Sequence, residues 1–272
     1  MKRSQLAINS ISTRHKNLEE MLDAYAAAGF RNVEFALGHV REELKTKSLG
    51  DVKAMLDARE MKCIGGFEGT LEAFGNDEAR AKNREFIQDG ATLLQGLGGT
   101  NLVVGTDGPQ KAGEDSLQIL ARTSGEVAAS IENTGVSLCI EFNWSPLVKS
   151  LRTAAQIARM SGAPNVGVLF DPAHFHCTPT KFDQINAANV PFIKHVHVDD
   201  MNDKPGELSD CNSDRALPGE GILDLRAMFG EIEKFGYDGY FSIEMFSEEL
   251  WNLSAHEAAA KMYQSLLPLC DD

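Results

Sequence analysis

The sequence predicts an α/β fold, a single (β/α)8 TIM barrel, on three observations. Apolar runs of strand length alternate with longer segments of helical period, and eight such pairs fit within 272 residues. Several helical segments end in a glycine that is followed at once by the next strand, whereas the connections after strands are longer and more polar. No Pro- or Ser-rich stretch and no charge block divides the chain, so residues 1–272 are expected to form one domain. A doubly wound open sheet is the structural alternative.

Taken in order, the first strand is expected at 5–10 (QLAINS), with a helix over 17–28 that stops at Gly29. The second strand is 32–36 (NVEFA) and its helix 48–59; the third is 61–66 (MKCIGG), with the helix 77–97. The fourth, 100–105 (TNLVVG), leads to a helix over 113–133 that stops at Gly135. The fifth and sixth strands are 136–142 (VSLCIEF) and 166–170 (VGVLF), with helices over 150–161 and 181–189. The seventh, 192–198 (FIKHVHV), precedes a helix over 222–235 that stops at Gly236, and the eighth, 239–245 (GYFSIEM), precedes one over 254–268. Two connections after strands, 66–76 and 199–221, are long enough to fold over the rim as lids.

The net charge of −14 is spread along the chain, which describes a solvated surface and argues against a phosphate backbone as partner. No nucleic-acid partner is expected. The opening MKRSQLAINSIST has two basic residues but no apolar stretch of signal-peptide length, and no later run approaches a membrane span. The expectation is therefore a cytoplasmic protein with no membrane partner. Five cysteines, at 63, 139, 177, 211 and 270, form no Cys-x-x-Cys pair, and their odd number fits a reducing compartment. A homo-oligomer is compatible with all of this.

Glu141, Asp171, His197 and Glu244 each lie at or next to the downstream end of an apolar run. In a parallel barrel those ends converge on one rim, so four residues remote in sequence can meet around one ion. Each has a plainer reading. Glu141 could cap a helix or pair with an arginine, and Asp171 before Pro172 could simply start a turn. His197 could be a hydrogen-bonded core histidine; strand alternation turns it to the same face as His195. Two end-of-strand glutamates favour the joint reading, because a carboxylate buried without a partner costs several kcal/mol.

Three carboxylates and one imidazole suit Mn, Zn, Mg or Co better than copper or an iron–sulfur cluster. One divalent ion held this way can grip two adjacent oxygens of a hydroxy-ketone and stabilise the enediolate formed when the carbon loses a proton. Glu141 and Glu244 are the candidate acid/base pair.

Other polar residues fall near strand tops. His174, just beyond the sixth strand, and Arg215, at the far end of the connection after the seventh, are candidate substrate contacts; Arg215 could instead pair with Glu220. Asn143 and Glu34 could line the substrate pocket. Asn9, Glu68, Asp199 and Asp200 carry no assigned role, and His176 reads as a loop residue. Trp144 and Trp251 could form apolar walls, with packing as the default for both.

At IEF (140–142), NVGVLFDPAHFH (165–176), HVHVDD (195–200), DRALPGEG (214–221) and SIEMF (242–246), the chain resembles the xylose-isomerase-like barrel superfamily of sugar isomerases and epimerases. The likeness covers nearly the whole chain, is densest over 136–260, and within the superfamily is nearest to the inosose (2-keto-myo-inositol) isomerases. It implies a Mn- or Zn-type ion on Glu141, Asp171, His197 and Glu244, with His174 and Arg215 on substrate oxygens. In ketose 3-epimerases of the superfamily, the two metal-binding glutamates serve as the acid/base pair. The chain departs from that pattern after its first ligand. Inosose isomerases carry a histidine shortly beyond that glutamate, and the epimerases a further glutamate, where this chain reads Glu141-Phe-Asn-Trp-Ser-Pro-Leu147.

The resulting expectation is a metal-dependent isomerase or epimerase acting on a small polyhydroxy keto substrate. The alternative is a lyase on the same scaffold, such as an inosose or dehydroshikimate dehydratase or an enzyme cleaving a 3-keto-glycoside. A DNA-repair endonuclease of this fold would need a histidine-richer trinuclear site and a basic face, and neither is visible. A non-catalytic sugar-binding subunit would not need the ligand quartet.

Overall fold

The computed structural model describes every residue except His15. Its strands are β1 (Leu6–Asn9), β2 (Asn32–Ala36), β3 (Lys62–Leu71), β4 (Asn101–Thr106), β5 (Ser137–Glu141), β6 (Val166–Phe170), β7 (Ile193–Val198), β8 (Asp200–Met201), β9 (Arg215–Ala216) and β10 (Phe241–Ile243). The helices are α1 (Leu18–Ala28), α2 (Leu37–Glu43), α3 (Leu49–Asp57), α4 (Asp77–Leu97), α5 (Ser116–Ser130), α6 (Leu151–Ser161), α7 (Pro172–Cys177), α8 (Leu225–Lys234), α9 (Glu248–Asn252) and α10 (Ala255–Leu266).

Eight parallel strands close into a barrel in the order β1-β10-β7-β6-β5-β4-β3-β2, and the small antiparallel pair β8–β9 stands apart. Closure comes from β10 pairing with β1, Leu6 opposite Phe241. The expected barrel is therefore present, and every expected strand falls on one of its staves. Gly29, Gly135 and Gly236 all have positive φ at the ends of their helical segments, as the short bottom connections require.

Most of the apolar core lies between strands and helices, as alternation along the strands dictates: Leu138 and Ile140 of β5 and Val196 and Val198 of β7 join it. The opposite face of the same strands turns into the barrel. There Val103, Cys139 and Leu169 form a small separate apolar cluster. Above it, toward the strand exits, the interior turns polar, with Glu34, His195, His197 and Asp171 all buried.

Two expectations are corrected. The segment 181–189 forms no α-helix: residues 182–184 and 190–192 are 3-10 turns. The helical turns between β6 and β7 come earlier, because Asp171 accepts from the His174 backbone N–H at 2.9 Å and Pro172 occupies the first helical turn, starting α7 directly at the strand end. Asn186 then bends the later segment by accepting from the backbone of Ala188 and Asn189. The expected loop 66–76 is also half strand. β3 breaks register between Phe67 and Thr70, with Gly69 at φ +81°, and then resumes pairing to β4 through Leu71.

The connection 199–221 is fastened to the barrel rather than loose. The Asp200 carboxylate accepts from the backbone N–H groups of Gly219 (3.1 Å), Gly221 (3.1 Å) and Leu223 (2.9 Å). Gly221 fits only because it lacks a side chain; a Cβ there would collide with the Asp200 carboxylate and the Met201 carbonyl. Replacing Asp200 with Ala should lower stability by about 1–3 kcal/mol, the range for stranding such partners. The same change should open 202–223 to limited proteolysis ahead of the rest of the chain, which mass spectrometry of the fragments would show.

Candidate active site

The four residues expected to share an ion come from four staves. Glu141 ends β5, Asp171 follows β6, His197 lies in β7 and Glu244 follows β10. Asp171 is the junction between them. Its carboxylate belongs to one group of potential ligands with His197 and Glu244 and to another with Glu141 and His174, and within each group the ligand atoms lie within 4.8 Å of one another.

Within the first group, His197 Nδ1 lies 3.3 Å from Asp171 Oδ2 and 3.2 Å from Glu244 Oε2. On the other side of the ring, His197 Nε2 lies 3.2 and 3.1 Å from the two oxygens of Glu34. Within the second, His174 Nε2 is 3.3 Å from Glu141 Oε1 and 3.9 Å from Asp171 Oδ2. Both glutamates are steadied by amides. Asn143 Nδ2 donates to Glu141 Oε2 at 2.7 Å, and Asn9 Nδ2 donates to Glu244 Oε1 at 3.1 Å.

Arg215 enters from β9. Its side chain is fully buried, and its nitrogens donate to Asp171 Oδ2 (3.1 Å), Asp199 Oδ2 (2.6 Å), Glu244 Oε2 (3.0 Å) and the carbonyls of Glu244 and Cys211. Its partners are thus the site carboxylates, not Glu220. It reaches the cavity wall, yet most of its hydrogens are turned to protein oxygens.

These contacts set the charges. Burial opposes charge on His197, but the nearby Glu244 and Glu34 carboxylates, with hydrogen bonds to Asp171 and Glu244, overcome it and raise its pKa well above the ordinary value. For His174, burial is likewise outweighed by Asp171 and Glu141, and the pKa again rises well above the usual range. Burial would raise Asp171, but the Arg215 cation and then the imidazoles hold it well below the usual carboxylate range. Glu141 is lowered in the same way, burial being overcome chiefly by His174.

The donor set fits a divalent cation. Ligand atoms about 2.0–2.2 Å from an ion stand roughly 3–3.5 Å from one another, and His197 Nδ1 already has that spacing to both Asp171 Oδ2 and Glu244 Oε2. Five acidic side chains, Glu34, Glu141, Asp171, Asp199 and Glu244, face Arg215 and the imidazoles of His174, His195 and His197, with burial pushing the Asp199 pKa well above the usual carboxylate range.

A cavity of about 520 Å3 opens onto this cluster. Glu141, Asn143, His174, Arg215 and Glu244 are among its polar lining, and Ile11, Phe67, Trp144 and Phe246 among its apolar lining, with the Arg215 guanidinium over the Phe246 ring. Trp144, half exposed, is a wall of the cavity, whereas Trp251 packs in the fold and donates to the Ile11 carbonyl. Glu34 is not on the wall; it is fully buried behind His197. His176 turns away to the Lys204 carbonyl at 2.9 Å. Glu68 is a buried partner of Arg41 outside the cluster, at 2.8 Å.

Asp199 and Asn9 hold Arg215 and Glu244 in place, yet sequence reading gave neither a role. A signal existed for both. Alternation carries the inward face of β7 from His195 and His197 on to Asp199. Asn9 ends β1 directly opposite Glu34 in register.

The model of the xylose isomerase-like TIM barrel family matches residues 22–266. The chain belongs to that family. It is 28% identical over 265 residues to an inosose isomerase of Bacillus velezensis, covering 93% of this chain and 92% of the relative. An inosose dehydratase of Serratia proteamaculans is 24% identical over 259 residues, covering 85% and 83% of the two chains. The crystal structure of the IolI protein with a bound zinc atom superposes with a TM-score of 0.88 at 23% identity over 97% of each chain, a likeness of fold.

Removing the guanidinium would leave Asp171, Asp199 and Glu244 buried together without their shared cation. Arg215→Ala should therefore destabilise the metal-free protein by about 3–5 kcal/mol near neutral pH. Asp171 is depressed in the folded state, so its stabilisation is present above the unfolded carboxylate pKa and fades as pH falls toward the folded value. The difference between wild type and variant should shrink in acid, as urea unfolding of both across that range will report.

Proposed function

We propose that the chain is a divalent-metal-dependent isomerase or epimerase of a keto-sugar or keto-inositol, working by proton transfer next to the carbonyl. The observation that carries this reading is the pairing of Glu141 and Glu244. They line one cavity and are linked through Asp171, each in a separate ligand group with it. Full-length similarity to an inosose isomerase supports the substrate class.

Glu141, Asp171, His197 and Glu244 would hold the ion, which when bound supplies Lewis acidity toward two adjacent substrate oxygens. One glutamate takes the proton from the carbon beside the carbonyl, and the other returns a proton to the neighbouring carbon or to the opposite face. Asn143 and Asn9 fix the two carboxylates, so little reorganisation precedes the transfer. His174, held as a cation beside Glu141, donates to the oxygen on which negative charge grows. Arg215 keeps Asp171 ionised and holds the Glu244 carboxylate in place. Trp144 and Phe67 offer flat apolar faces to the C–H side of a sugar ring. The substrate is thus a small polyhydroxy ketone, and a divalent ion such as Mn or Zn is the cofactor.

A second reading, a dehydratase or other lyase, is favoured by the same His174. A cation within 3.3 Å of the Glu141 carboxylate can protonate a leaving hydroxyl once the neighbouring carbon has lost its proton. The dehydratase relative is in keeping with it.

Screening the metal-loaded protein against keto-inositols, ketohexoses and 3-keto-glucosides by NMR in deuterated water separates the two. An isomerase or epimerase places deuterium on the product carbon without losing water or an aglycone, whereas release of either decides for the lyase. Chelation should abolish turnover, and Glu141→Gln and Glu244→Gln should each lower kcat by about 100- to 10,000-fold. Turnover that survives chelation would overturn the proposal.

A further inference from the structure

One fully buried acid at the site has no part in the chemistry above. Glu34, on β2, touches neither the cavity nor solvent. Both of its oxygens face Nε2 of His197, at 3.2 and 3.1 Å, and one lies 2.9 Å from Nε2 of His195. The opposite edge of the His197 ring presents Nδ1 to Asp171 and Glu244.

An imidazole that ligates a metal through one nitrogen carries its hydrogen on the other, and the acceptor of that hydrogen decides which nitrogen keeps the lone pair. Without Glu34, the Nε2–H would point into the barrel beside His195 with no oxygen to receive it. The neutral ring would then place its hydrogen on Nδ1, where Asp171 and Glu244 both accept. That tautomer cannot ligate alongside them.

We propose that Glu34 is a positioning residue: it fixes the hydrogen of His197 on Nε2 and so leaves Nδ1 free to take a divalent cation together with Asp171 and Glu244. This rests on the reading of the quartet as a metal site. His195 completes the arrangement. Its ring packs edge-to-face on His197, with centroids 5.3 Å apart and planes at 80°, and it closes the other side of the Glu34 carboxylate.

The test is cation binding by the metal-free full-length protein, as Zn2+ affinity in competition with a chromophoric chelator and as the visible absorption of Co2+ bound in its place. Wild type is compared with Glu34→Ala, Glu34→Met and Glu34→Gln, with circular dichroism to follow the fold. Methionine keeps the volume and accepts nothing; glutamine keeps an oxygen acceptor. Loss of the acceptor should weaken Zn2+ binding by about 10- to 100-fold and alter the Co2+ bands. Glu34→Gln should retain most of the affinity and the wild-type bands. Equal affinities and spectra in all four proteins would overturn the proposal, as would a glutamine variant no better than methionine. If wild type itself takes up neither cation, the metal-site reading fails, which is a different result from loss of the Glu34 effect.

Discussion

The Asp171 carboxylate has no contact with water, and it stays ionised because Arg215 and His197 reach it from different elements while His174 lies close by. An ion in the barrel interior is tolerated only when its partners are in place, since an uncompensated buried charge costs several kcal/mol. Much of the upper barrel follows from that demand. The same oxygen of Asp171 faces Arg215 and His197, and through them Asp171 is tied to Glu244, Asp199 and Glu34. Its other oxygen caps α7, which sets His174 against Glu141.

The architecture supplies those partners economically. Parallel strands deliver Glu141, Asp171, His197 and Glu244 to one rim, and the inward face of β7 continues through His195, His197 and Asp199. The guanidinium comes from β9, whose hairpin with β8 is held by the hydrogen bonds that Asp200 accepts. The long connection after β7 thus acts as a strut for the charge network. The apolar side of the cavity comes from elsewhere: Ile11 after β1, Phe67 in the irregular part of β3 and Trp144 after β5. Glu141 and Glu244 come from strand ends, whereas His174 and Arg215 come from the connections after β6 and β7.

Among the described residues no helix is long and apolar enough to cross a membrane. Cys63 and Cys139 are buried as small core residues, and burial pushes their thiol pKa values up to about 12.

Hydrophobic period, glycine stops and the polar residues at strand ends determined the barrel and the identity of the clustered side chains. These are local properties: the period of an apolar run fixes the element type, and the strand direction fixes which end meets the rim. The helix expected at 181–189 failed where the Asn186 side chain accepts from the backbone N–H groups of Ala188 and Asn189, a local hydrogen bond that competes with the helical ones. What only the tertiary structure decided is partnership. Arg215 could have paired with Glu220 nearby in sequence, but the hairpin carries it to Asp171, Asp199 and Glu244. Glu34 resembled a pocket residue from its place in β2, but barrel closure sets it behind His197. Those choices depend on register and closure, which bring atoms from opposite sides of the barrel within about 3 Å, the reach of a hydrogen bond, and no stretch of local sequence encodes that distance.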